Sequence, residues 1–178
     1  SDLSFLDSTL DQYSFLLTPH IIMPEISRHG IEEIEISALS HGIFNLGFLS
    51  VKNDNIGKKL LHWWSKRLLF YCRTDKAALS MGLFSDQTWM DLSISIFENF
   101  KILHDETLNV APWNIRTRNL TQNTAGAYSV NGKPLSFYHF SKIDSGAHER
   151  VANVIAPSNQ ALKNLIQWYK VRLNEEES

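Results

Sequence analysis

Three places along the chain put chemistry-capable side chains where packing alone would ask for something else. Asn45 interrupts Gly42-Ile43-Phe44-Asn45-Leu46-Gly47-Phe48-Leu49-Ser50-Val51-Lys52, an apolar, β-branched run too short for a helix that reads as a buried strand. A buried amide must find hydrogen-bond partners or cost roughly 1–3 kcal/mol. Gly47 follows closely, and a glycine inside a strand marks a bulge or the close approach of a ligand or backbone. Two readings stand: a satisfied structural asparagine beside a bulge, which these residues alone favour, and an amide facing a polar ligand at the strand's edge. Asp86-Gln87 opens an apolar-periodic segment, where aspartate ordinarily caps a helix and meets the positive end of its dipole. His139 lies in an apolar arm just before Ser141. On its own it reads first as a hydrogen-bonded core histidine and second as a metal ligand.

The remaining reactive side chains narrow the chemistry. One cysteine, Cys72, excludes an internal disulfide and any multi-cysteine zinc site. It falls in an apolar helical pattern and reads as a buried, inert thiol. His29, His41, His62, His104 and His148 show no metal spacing. The absence of His-Glu-x-x-His, Gly-x-Ser-x-Gly and phosphate-loop motifs disfavours a zinc protease, a serine hydrolase and a P-loop enzyme.

The elements that must position these groups follow from periodicity. Leu3, Leu6 and Leu10 share one face of a short helix, with Ser1 or Asp2 as its N-cap. Tyr13 to Thr18 reads as a strand ended by Pro19-His20, and residues 31–40 as a helix. Asn53 or Asp54 caps a long helix, about 54–72, whose Lys58, Lys59, Lys66 and Arg67 form a wet face. Trp63 and Trp64 read as one buried and one half-buried ring. Residues 73–84 read as a loop, 86–96 as a helix and Phe100 to Leu103 as a short strand. Asn109 to Asn114, broken by Pro112, reads as a loop or edge strand. Asn131-Gly132 between apolar runs predicts a type I′ hairpin near 127–140, its second arm continuing to Phe140. Residues 158–173 read as a C-terminal helix. Helices and strands interleave, so the expected class is α/β with a mixed sheet flanked by helices.

Composition bounds the partners. The 178 residues are 43% hydrophobic and 20% charged, enough for a real core. A formal net charge of −2 argues against general capture of nucleic acid. No apolar run approaches roughly 18 residues, so no membrane span is expected. The chain begins Ser1-Asp2-Leu3 without methionine and is expected to be a piece of a longer protein.

Four segments occur in a telling order: Phe44-Asn45-Leu46-Gly47-Phe48-Leu49; Gly82-Leu83-Phe84-Ser85-Asp86-Gln87-Thr88-Trp89-Met90-Asp91; Leu108-Asn109-Val110-Ala111-Pro112-Trp113-Asn114; and Val130 through His139-Phe140-Ser141. Over about residues 1–144 the chain resembles the catalytic domain of nucleotide-diphospho-sugar transferases of glycosyltransferase-A fold. Within these it is similar to bacterial relatives of the glycogenin and lipopolysaccharide-galactosyltransferase group. The resemblance implies that Asn45 contacts the donor sugar, with His20 a weaker candidate. It implies that Asp86 accepts hydrogen bonds from sugar hydroxyls. It implies that the carbonyl oxygen of Gln87 approaches the anomeric carbon and stabilises positive charge there. Asn109, Trp113 and Asn114 match a loop near the acceptor side. His139 matches the histidine that completes the family's divalent-metal site, manganese with magnesium as the alternative. Lys142 stands where relatives often carry glycine; it reads as exposed, or as reaching a diphosphate.

The resemblance also has departures. The family's Asp-x-Asp metal motif is absent and is expected immediately before Ser1, with the nucleotide-binding half upstream. The 178 residues are then the C-terminal, sugar- and acceptor-facing part of the domain, inactive alone. The implied activity is transfer of a sugar from a nucleotide-diphosphate donor, a uridine diphosphate sugar favoured, to a glycan or lipid acceptor. Anomeric configuration is expected to be retained and the product to be a cell-surface glycan. The implied location is the cytoplasm, with peripheral association at the inner membrane as the alternative. Two non-enzymatic readings stay beside it: a carbohydrate- or nucleotide-sugar-binding module, and an interaction domain.

Overall fold

In the computed structural model, which describes residues 3–176, the chain divides into two units, 3–105 and 106–176. Each has its own hydrophobic core.

The 3–105 unit is built on β1, Phe15–Pro19, the middle strand of a three-stranded sheet in the order β2-β1-β3. β2, Phe44–Val51, pairs antiparallel to it and β3, Phe100–Ile102, parallel, so the sheet is mixed. A middle strand has neighbours on both sides, and Phe15, Leu16 and Leu17 are fully buried. Helix α4, Asn55–Tyr71, contributes Leu60 to this core, and α6, Gln87–Ile96, contributes Met90. Asp54 caps α4, accepting from the Gly57 amide at 2.8 Å and from Ser14 Oγ at 2.8 Å. Those bonds hold its carboxyl below the usual range. The unit also carries α1, Phe5–Gln12; α2, Arg28–Gly30; a π turn, Ile31–Glu35; α3, Ile36–His41; and α5, Lys76–Ser80. The sequence-predicted caps of α1, Ser1 and Asp2, lie outside the described residues.

Several expectations change here. The 42–52 run forms an edge strand, half-buried after Asn45, because β1 pairs with only one of its sides. The 73–84 loop contains α5, capped by Asp75, which accepts from the amides of Ala77 and Ala78. Cys72 is exposed, not buried, because it is the C-cap of α4 and lies beyond the helix's packed face. Trp63 and Trp64 are both half-buried, with the Arg67 guanidinium 4.9 Å from the Trp63 ring centre.

The 106–176 unit pairs β4, Leu120–Gln122, with β5, Tyr128–Val130, and β5 with β6, Lys133–Pro134, all antiparallel. The predicted hairpin turn is present: Asn131 and Gly132 have φ of 49° and 82°. Its second arm is shorter than expected. Pro134 offers no amide to continue the ladder. Beyond it the chain turns to residues 107–110: Ser136 and Phe137 donate to Thr107 O, and Val110 forms an isolated parallel bridge with Tyr138. Of residues 109–114, expected as loop or edge strand, the last three open a 3-10 helix, Pro112–Thr117, with proline at its first turn. Helices α7, Ala147–Ile155, and α8, Gln160–Glu176, complete the unit. Ile115, Leu120, Val130, Ala152, Leu162, Leu165 and Ile166 close its core. Among the described residues no helix is long and apolar enough to cross a membrane.

Candidate functional site

In the 3–105 unit, the candidate residues converge on a break in the β1–β2 ladder. Leu17 pairs with Leu49, but Pro19 pairs with Phe44, so residues 45–48 bulge opposite Thr18. Thr18 Oγ1 holds the bulge, 3.0 Å from the Asn45 carbonyl and 3.1 Å from that of Phe48. Asn45 is 3% exposed, and its side-chain oxygen accepts from the Gly47 amide at 2.8 Å. The expected structural role of Asn45 beside a bulge is therefore present. His20 lies at the same end of the sheet, its amide donating to Ile43 O at 2.9 Å.

Helix α6 begins against this bulge. Gln87 Nε2 donates to His41 O at 3.2 Å, and Gln87 Oε1 faces the Leu46 amide at 3.4 Å. Gly42, with φ of 103°, makes the approach possible: a Cβ there would lie 3.2 Å from the Gln87 carbonyl carbon. Asp91, one turn further along α6, accepts from the Ile43 amide at 3.0 and 3.2 Å. Burial raises its carboxyl pKa against the pull of the Ile43 and Phe44 amides. In the sequence Asp91 closes the 82–91 segment without a role of its own; its signal was a carboxylate one helical turn after the Asp86-Gln87 pair.

Asp86 is half-buried at the N-cap position, in right-handed backbone geometry and without the side-chain cap bond its position predicts. Its carboxylate instead accepts from Ser85 Oγ, and its carbonyl accepts from Trp64 Nε1 at 3.2 Å. Ser85 has φ of 50°, a backbone conformation costing on the order of 1–3 kcal/mol for a non-glycine residue. Strain next to a candidate acid is the kind of outlier that accompanies binding sites.

In the 106–176 unit, Asn109, Trp113, Asn114 and His139 form one cluster. Asn109 is buried with φ of 52°. Asn114, also buried, donates to Asn109 O at 3.0 Å and accepts from the Ala111 amide at 2.9 Å, satisfying the start of the 3-10 helix. The Trp113 and His139 rings meet edge to face, 5.4 Å between centres, and the His139 amide donates to Val110 O. Burial, with His148 nearby, lowers the His139 pKa and favours neutral imidazole. Beside it, Tyr138 OH lies 2.9 Å from His148 Nε2, and His148 Nδ1 lies 2.9 Å from Ser141 O. A carbonyl only accepts, so Nδ1 carries the proton and Nε2 accepts from the tyrosine. Lys142 is exposed, with φ of 55°. That left-handed conformation is a physical reason for glycine at this position. Arg118, 1% exposed and overlooked in the sequence, donates to Leu108 O at 2.5 Å and anchors the segment leading into the cluster.

Among the described residues no three His, Cys, Asp or Glu side chains gather as a metal site. His139 belongs to no such group among the described residues, so these residues do not by themselves fit a divalent cation.

No family model matches the chain, and no solved structure matches it. A protein of Bacillus subtilis (strain 168), described as uncharacterized protein YfnF, is 31% identical over 121 residues. The match covers 68% of this chain and 38% of that protein, so the chain spans well under half the length of this relative.

Proposed function

We propose that these residues are the sugar- and acceptor-facing part of a nucleotide-diphospho-sugar glycosyltransferase of glycosyltransferase-A fold. The observation that carries the reading is Gln87 laid against the Asn45 bulge, with Asp86 beside it on a strained turn. A donor sugar held at this sheet end would place its hydroxyls on Asp86 and Asn45. The Gln87 carbonyl dipole would then face the carbon that gains positive charge as the diphosphate departs. Asn109, Trp113 and Asn114 serve the acceptor in this reading, a glycan or lipid. In the 106–176 unit taken by itself, His139 would supply one ligand to manganese if other residues of the whole protein add the oxygen ligands. A metal so held would neutralise a departing diphosphate. The protein then acts in the cytoplasm on a cell-surface glycan precursor.

A second reading is a binding module without catalysis. It is favoured by the internal hydrogen bonds that already occupy both polar atoms of Gln87 and the side-chain oxygen of Asn45. Titrating the whole protein with a uridine diphosphate sugar, with and without manganese, separates the two. Metal-dependent binding with turnover supports the transferase, and binding without turnover supports the module. No binding in either condition overturns both. The 178-residue chain alone is expected not to transfer sugar even with manganese; turnover by it would overturn its assignment as a partial domain.

A further inference from the structure

A groove of about 870 Å³ runs along the 106–176 unit between the β-hairpin and α8. It contains none of Asn109, Trp113, Asn114, His139 or Lys142. Its volume is in the range of ligand sites, roughly 300–1,000 Å³. Its chemistry is unusual for a protein surface in having no charged side chain among its lining residues. The walls are aromatic. Tyr128 and Phe137 line the hairpin side, and Trp168 stands on α8 with 52% of its surface exposed. A large aromatic ring left half in water loses part of the gain that burying it would bring.

The rim is made of amides. Asn164 joins Gln122 and Gln160 along the rim by hydrogen bonds of 2.8 Å each. Gln167 also lines the groove, and its side-chain amide makes no hydrogen bond among the described residues. An amide both donates and accepts, as a sugar hydroxyl does.

We infer that this groove binds a neutral oligosaccharide, with a sugar ring stacked on Trp168 and its hydroxyls paired to Gln167, Gln122 and Asn164. Three features select this ligand. A phosphate, nucleotide or acidic sugar would find no cation in the lining. A peptide helix presenting only apolar residues would leave the amide rim unpaired, which costs affinity. A pyranose ring offers a C–H face to an aromatic plane and a belt of hydroxyls to amides, and so meets both kinds of surface at once. The inference stands on the groove alone and does not require the transferase reading.

The test uses the whole protein without nucleotide sugar or metal. Its tryptophan indole N–H signals are followed by NMR during titration with maltohexaose, cellohexaose and chitohexaose, each to about 10 mM, with Trp168→Phe identifying the signal. The Trp168 signal is expected to move with at least one of the three, with a dissociation constant on the order of 1 mM. Trp168→Ala should weaken that binding at least about tenfold and Gln167→Ala about threefold, the fold of both variants being checked by the remaining backbone signals. A Trp168 signal unmoved by all three sugars overturns the inference, as does equal affinity in the Trp168→Ala variant. Neither result touches the transferase reading, which is tested by turnover of a nucleotide sugar.

Discussion

The side-chain oxygen of Gln87 faces the Leu46 amide at 3.4 Å, tying the first turn of α6 to the bulge in β2. The same side chain donates to His41 O, so one amide spans both ends of the segment 41–46. Replacing it by alanine removes both bonds and leaves two backbone groups to find other partners. Gln87→Ala is expected to lower stability by about 1–2 kcal/mol in urea unfolding. In the whole protein, the transferase reading adds a loss of turnover of about 10²-fold with little change in donor KM. A stability loss with unchanged turnover would leave Gln87 a structural residue only.

Thr18 makes the complementary prediction from the other side of the ladder. Its single hydroxyl proton is shared between the carbonyls of Asn45 and Phe48, and the residue is 2% exposed. Valine has nearly the same shape and offers no donor. Thr18→Val should therefore cost about 1–3 kcal/mol, nearly all of it from carbonyls losing a partner. The measurement is the urea midpoint at constant slope, since a changed slope would mean a changed denatured state.

What could be read from the sequence followed from local rules. Asn131-Gly132 announced its turn because both residues adopt positive φ, and Asp54 announced α4 because its side chain caps the helix three residues on. The Asn45 bulge was legible as an alternative because an amide and a glycine within three residues disrupt an apolar strand. What depended on distant pairing was not legible. Nothing local in the 42–52 run says that it lies at the sheet's edge, or that Thr18 would brace it from 27 residues away. Cys72 followed the apolar rhythm of α4 yet fell past its last turn into solvent. Asp91 and Arg118 look like ordinary surface charges in sequence; only the fold turns them onto the backbone of Ile43 and Leu108.

Asp91 gives a pH dependence with a definite sign. Burial raises its carboxyl pKa above the unfolded value. The folded state then holds the proton more tightly than the unfolded chain, which stabilises the fold at low pH. That contribution is complete below the unfolded pKa and is lost as pH rises through the raised folded value. Asp91→Asn keeps a side-chain oxygen for the Ile43 amide and carries no charge to desolvate. It should flatten this part of the stability–pH curve and leave the variant at least as stable as the parent at pH 7. Asp91→Ala removes the acceptor and should cost about 1–3 kcal/mol. Urea unfolding of all three proteins between about pH 3 and pH 8 checks the pattern. A parent curve parallel to that of Asp91→Asn would show that the carboxyl does not titrate as its burial demands.

Lys142 tests whether a side chain or a backbone shape matters beside His139. Its φ of 55° costs an L-residue about 1–2 kcal/mol, and its side chain is exposed. Glycine adopts that φ without strain but brings more freedom to the unfolded chain, which offsets part of the gain. Lys142→Gly should therefore raise stability by about 0.5–1 kcal/mol. Lys142→Ile should lower it, since a β-branched residue fits positive φ poorly. An exposed ammonium with no ligand to meet predicts that Lys142→Gly leaves affinity for uridine diphosphate unchanged. A several-fold loss of that affinity, alongside the gain in stability, would instead assign the ammonium to a diphosphate. The backbone strain at Lys142 would then be tolerated for the sake of that contact.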